Sequence, residues 1–391
     1  MNPSSVRDQF LLRQDITYLN FGAFGACVKP VFQQYQQFQL ELEQEPSYFM
    51  NVAGPQYLKQ SKKALADYVN IHEDDFVYVP NPTYATNIVA KNFPLKQNDE
   101  VLATDIEYGA CDRTWAYYCK KSGAIYKRQN IQLPIESKES FVQNFFSGIT
   151  ERTRLIFISH ITSSTGLRLP VEEICALAKE KGIPVFVDGA HAPGQIPVDI
   201  TSLDADFYIG ACHKWMMTPK GCTFLYVEKQ WQNFLEPLAV SWGYNSVRPS
   251  HSQFLDYHQI QGTRDYSAFL TVPYAINFME ENNWRHVSSY YQQMTQHNAP
   301  VLCKLLNAKP TAPISNDFIA QLYSAEVKTE EPQKLHNQLY EKYRIQIPVM
   351  FQNGKTYLRY SLNAFNEQKD LDKLFDAIKE IKTTTNLIDH N

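Results

Sequence analysis

Apolar residues fall in two rhythms along the chain. Over residues 30–45 and 55–69 they recur every three to four positions, which predicts two amphipathic helices, the first opening on Pro30 at an N-terminal helical position. From residue 76 the rhythm changes to short β-rich runs at 76–79, 101–104, 124–127, 155–159, 185–188, 207–210 and 224–227, separated by helical stretches such as 111–120 and 171–181. Strand then helix, repeated, predicts an α/β domain over residues 31–265, with a mostly parallel seven-stranded sheet and helices on both faces. Past residue 265 come long connecting helices at 266–281 and 284–306 and a break at Lys309-Pro310-Thr311-Ala312-Pro313. A strand at 318–323, a helix at 332–342, strand-like 344–348 and 357–361, and a closing helix at 369–382 then predict a small α+β domain within residues 266–391. Residues 383–391 read as a frayed tail.

Composition narrows the function classes. At 391 residues the chain exceeds one ordinary core, and 44% apolar with 13% aromatic residues is ample for two. Thirty-seven basic and 41 acidic residues are spread without a basic block, so nucleic acid is not an expected partner. No apolar run is long enough to span a bilayer and residues 1–20 contain no secretory core, so neither a membrane nor export is expected and the protein is expected in the cytoplasm. Seven Cys with no Cys-x-x-Cys pair read as free thiols in a reducing compartment, with no metal site.

Candidate chemistry lies after the strands, where ligands sit in a doubly wound sheet. The apolar run 183–187 ends on Asp188-Gly189-Ala190-His191, and the next strand-like run leads through Gly210-Ala211-Cys212-His213 to Lys214. A Lys and an Asp in interior-like surroundings suit an aldehyde cofactor with a pyridine ring, the amine forming a Schiff base and the carboxylate keeping the ring nitrogen protonated. Asn81-Pro82-Thr83-Tyr84 opens a helix, where Thr83 reads either as part of an anion site or as an ordinary N-cap. Tyr108, in Glu107-Tyr108-Gly109-Ala110, reads as a ring that could lie on a flat cofactor or as packing.

The string from Asp188 to Gly194, followed by His213-Lys214 and Pro219-Lys220-Gly221, resembles the class V aminotransferase superfamily of pyridoxal 5′-phosphate (PLP) enzymes, fold type I. Tyr18-Leu19-Asn20-Phe21-Gly22-Ala23-Phe24-Gly25, the stretch at Glu107, and Arg359-Tyr360-Ser361 are most similar to its isopenicillin N epimerase-like branch. The resemblance implies Lys214 as the Schiff-base lysine, Asp188 on the pyridine nitrogen, His191 on the ring hydroxyl and Tyr108 stacked on the ring. It implies Thr83, the backbone at Tyr84, and His213 around the phosphate, with Gly262-Thr263 reaching the phosphate of a partner subunit in a homodimer with shared sites. Arg359 would grip the α-carboxylate of an amino-acid-like substrate, and Asn20 and Phe21, in an N-terminal segment over residues 1–30, would line the substrate side. The chain departs from the pattern at Ala211 and Ala23, where Ser is common, and at Phe21, where a polar residue is usual.

Loss of a Cα bond leads to epimerisation, to transamination or, as the alternative, to β-elimination. Cysteine desulfurase chemistry ranks below these, because the stretch 344–359, where relatives with that activity carry a nucleophilic Cys, has none. A nicotinamide enzyme lacks its Gly-x-Gly-x-x-Gly, and a catalytically silent binding protein would have no use for both Lys214 and Asp188.

Overall fold

The computed structural model describes residues 3–259 and 261–389. Near the N-terminus β1 (Thr17–Tyr18) precedes a helix over Lys29–Gln44 and another over Gly54–Val69. The main sheet holds β2 (Phe76–Val79), β3 (Glu100–Thr104), β4 (Ile125–Gln129), β5 (Thr153–Ser159), β6 (Val185–Asp188), β7 (Phe207–Gly210) and β8 (Thr223–Val227). Their order is β2-β8-β7-β6-β5-β3-β4, with β8 antiparallel to both neighbours and the remaining pairs parallel. Continuous apolar runs follow from this placement, since β2, β3, β6 and β7 are buried at every residue between two helical layers. The edge strand β4 reads Ile-Tyr-Lys-Arg-Gln and is half-exposed, and its two cations blunt an open edge.

The C-terminal part carries β9 (Leu322–Glu326), β10 (Ile345–Gln346), β11 (Val349–Gln352) and β12 (Lys355–Ser361). Strands β11-β12-β9 form an antiparallel sheet, and β10 pairs in parallel with β1, bringing the N-terminal segment against this part of the chain.

Four expectations change. The strand expected at 318–323 is β9, four residues later: Phe318 and Ile319 are buried, but their N–H groups turn back to Ser315. The helix expected over 266–281 is two helices, Ser267–Leu270 and Val272–Glu281, broken ahead of Pro273, which has no N–H to continue the first. Strand β11 was not anticipated, although Asn353 and Gly354, at φ 49° and 77°, are the residues a tight two-residue hairpin demands. The closing helix runs over Gln368–Thr384, and the expected tail is docked: Leu387 and Ile388 are buried and Asp389 N–H donates to the Lys328 carbonyl. His390 and Asn391 lie outside the described residues.

Candidate active site

Asp188 is the last residue of β6, in register with Ser159 of β5 and Ile209 of β7, so the sheet itself aims its carboxylate. It is buried; the Ala190 N–H donates to Oδ1 at 3.0 Å and the Cys111 thiol points at Oδ2 at 3.6 Å. Burial raises its pKa above the ordinary carboxylate value, while the charge of Lys214 pulls the other way. No cation lies within ion-pair distance of Asp188 among the described residues.

Lys214 stands on the turn that links β7 to β8, closed by Lys214 N–H to the Ala211 carbonyl and Met217 N–H to the Lys214 carbonyl. Its Nζ lies 3.1 Å from His191 Nε2, and Trp215 Nε1 donates to His191 Nδ1 at 3.3 Å. Burial first, with Arg359 adding, brings the Lys214 pKa down to about 8 against the pull of Asp188. Gly25, at φ +64°, packs on this turn: a Cβ there would sit 2.7 Å from Lys214 Cα and 2.3 Å from the His213 carbonyl oxygen, so no side chain fits.

A second buried acid sits beneath these groups. Glu107 accepts from Thr104 Oγ1 and Ser159 Oγ, and burial raises its pKa to about 8, with Asp188 adding. Neither Glu107 nor Cys111 was assigned a role from sequence. An acid one step past a buried strand was a usable signal for Glu107; nothing in the sequence marked Cys111.

The helix Pro82–Asn92 is capped by Asn81, whose side chain accepts from Tyr84 N–H at 2.8 Å. The N-cap alternative for Thr83 therefore falls to Asn81, and Thr83 sits in the first turn. Tyr84 has its N–H in the cap, and its hydroxyl donates to Gln261 at 3.3 Å, beside the exposed Gly262 and Thr263. His213 Nδ1–H donates to the Cys222 carbonyl at 2.9 Å, which leaves Nε2 as its open ring position, and burial lowers its pKa to about 4. Tyr108 precedes the helix Gly109–Ser122 with 44% of its surface exposed, an open ring.

Arg359, on β12 and implied to grip a carboxylate, is 1% exposed. Nη1 donates to the Ser163 carbonyl at 2.6 Å and Nη2 to Asn20 Oδ1 at 3.3 Å, while Nε has no partner. Burial lowers its pKa to about 10, and no acid lies within ion-pair distance among the described residues. Ser163 was not anticipated. Phe21 corrects another expectation: it is fully buried, its ring 5.1 Å from Trp215 and 5.8 Å from Phe365, so it packs the core and does not line a pocket. A concavity of about 740 Å³ beside His160, Gln195 and Trp284 contains none of Lys214, Asp188 or Arg359. The chemistry of the side chains, not cavity size, locates the site.

The donor set suits PLP. Asp188 lacks the cation that a protonated ring nitrogen would supply, Lys214 presents an amine close to neutral, Tyr108 an open face, and the first turn at Thr83 a hydroxyl and helix N-terminus.

Comparison with known proteins agrees. The chain is similar over nearly its whole length to isopenicillin N epimerase of Amycolatopsis lactamdurans (28% identity, 97% of this chain and 98% of that one). It is also similar to hercynylcysteine sulfoxide lyase of Schizosaccharomyces pombe (26%, 96% of each). Among solved structures, the apo cysteine desulfurase of Thermococcus onnurineus NA1 superposes with a TM-score of 0.83 at 18% identity, covering 97% of this chain and 98% of that one. The cystine C–S lyase C-DES in complex with cysteine persulfide superposes with 0.78 at 21%, covering 93% and 97%. The family model for class V aminotransferases matches residues 18–374, and the chain belongs to that family of PLP-dependent enzymes.

Proposed function

We propose that the protein labilises a bond at Cα of an α-amino acid whose side chain is apolar or uncharged, leading to epimerisation or transamination. The observation that carries this reading is Arg359, a buried guanidinium with no acid partner and an unpaired Nε, on the same site as a lysine close to neutrality. A carboxylate supplies what Arg359 lacks, two oxygens for parallel N–H donors, and fixing it selects which Cα bond is presented. PLP, when bound, supplies an electron sink whose ring nitrogen Asp188 would keep protonated. Lys214 then takes or returns the Cα proton as the amine. A distal carboxylate has no evident second arginine: Arg264 lies over the Phe269 ring and bonds Gln261, and Arg248 is exposed.

β-Elimination is the second reading, favoured by the lyase relatives and by an amine that can serve as both base and acid. The desulfurase reading has less support. The stretch 344–359 holds no Cys, and the β11–β12 turn is tied down by Gln352 and Asn353, both donating to the Asp105 carbonyl. Exchange of the Cα proton in deuterated water, followed by NMR over an amino-acid panel, tests the common step. The parent should exchange a subset of substrates and Lys214→Ala none; no exchange with any amino acid would overturn the reading.

The assembly we propose is a homodimer with shared sites, in the cytoplasm. Val240, Trp242 and Val247 are 72%, 84% and 93% exposed, and Ser241 borders Gly262, so an apolar surface adjoins the segment implied to reach a partner's phosphate. The free cysteines accord with a reducing compartment, and no helix among the described residues is long and apolar enough to cross a membrane. Mixing inactive Lys214→Ala with an inactive Thr263 variant should restore part of the activity through one repaired site; no recovery under demonstrated subunit exchange would mean that each chain builds its own.

A further inference from the structure

His191 is held between two nitrogen groups, and their chemistry decides where its proton lies. The indole N–H of Trp215 can only donate, so His191 Nδ1, at 3.3 Å, must accept. An imidazolium, or the neutral form protonated at Nδ1, would set N–H against N–H across that contact. The arrangement that satisfies it carries the proton on Nε2, which faces Lys214 Nζ at 3.1 Å. That nitrogen is then a donor, and Nζ accepts only as the free amine.

We propose that Trp215 is a positioning residue that locks His191 in the Nε2–H tautomer, making His191 a hydrogen-bond donor to the catalytic centre and leaving Lys214 as the base of the pair. The lock is rigid. Trp215 is fully buried with its ring against Phe21, His191 is 4% exposed, and Gln195 Nε2 anchors the His191 backbone by its carbonyl at 2.6 Å, so both rings are packed in place. The charged groups facing His191 all act in one direction, whereas those facing Lys214 divide. Lys214, Arg359 and His213 bear on His191 and, after burial, lower its pKa; Arg359 lowers that of Lys214, with Asp188 and Cys111 opposing. When the substrate amine engages the cofactor, a fixed N–H donor remains where the ring hydroxyl is expected. A His191 free to switch tautomer would instead compete with Lys214 for the proton.

The base role rests on the function proposed above, whereas the tautomer does not, and the test separates the two. In the full-length chain labelled with ¹⁵N-histidine, long-range proton–nitrogen correlation distinguishes a protonated from a bare ring nitrogen, and His191→Gln identifies the His191 signals by their loss. The expected pattern is a protonated Nε2 and a bare Nδ1 that persists across neutral pH and converts to a mixture in Trp215→Phe. In the same variant after cofactor removal, Lys214 should react with an amine-directed reagent about tenfold more slowly at neutral pH, because Nε2 is released to accept from the ammonium. A bare Nε2 in the parent would overturn the proposal even if Trp215→Phe failed to fold. An unchanged pattern in folded Trp215→Phe would also overturn it. A locked tautomer in a protein that exchanged no amino acid would sink the functional reading alone.

Discussion

Asp188 and Arg359 are both buried charges on one site, but the chain secures them by opposite means. The partners of Asp188 come from its own layer: a residue two positions on and a thiol 77 positions back on a helix packed against the same sheet. Those of Arg359 come from Ser163 and Asn20, 196 and 339 positions away, on two separate segments. On the proposed roles, one unit of the fold carries the cofactor side, whereas the recognition side exists only after distant segments meet. The difference suggests that cofactor chemistry is the fixed property of this architecture and substrate choice the adjustable one.

Breaking the fixed side should have the larger effect. Asp188→Ala is expected to lower kcat by about 10²–10³-fold, since a site that cannot favour positive charge on the ring loses preorganised electrostatic stabilisation. Near-parental rates would show that another group holds that charge. On the adjustable side, Arg359→Lys should raise KM by about 10–100-fold with a smaller change in kcat, because an ammonium cannot make the paired contact. Equal loss in kcat and KM terms across a substrate panel would mean that Arg359 organises the fold and does not grip a carboxylate.

The smallest effect is on stability. Burial holds His160, His213 and His258 down to about 4 from 6.5, so between those values the unfolded chain binds more protons than the folded one. Their contribution to stability is present above pH 6.5 and is lost as the pH falls toward 4. His191, also lowered by burial, joins them, while Glu107, raised to about 8, and the buried Asp112, Asp188 and Asp206, raised above the carboxylate value, act in the other direction. Urea midpoints should therefore fall from pH 6.5 to 4.5; a flat profile would show that these imidazoles are not held neutral.

Much of this was legible in the sequence, for physical reasons. Strands buried on both faces leave unbroken apolar runs, so those of the main sheet were found within a few residues, and Asp188 and Lys214 stood out against them. Contacts across the fold left no such trace. Cys111 reaches Asp188 from a helix packed on the main sheet, and Ser163, in the loop after β5, reaches Arg359 on β12. Phe21 misled because an aromatic residue in a glycine-bearing loop reads as a pocket wall, whereas the ring turns inward against Trp215. Burial without pairing explains the displaced strand: Phe318 and Ile319 are as apolar as a strand but bond to a turn.

The close approach of Gly25 to Lys214 has a consequence for the order of folding. The segment that covers the lysine turn is anchored by β1 on β10 and by Gly22 N–H on Ser361 Oγ, a contact spanning 339 positions. During synthesis β1 has no partner strand until almost the entire chain has emerged. The main sheet can assemble first, with its lysine turn uncovered, while closure waits on the slowest class of contact. Competence of the site would thus be the last property acquired, marking a finished chain.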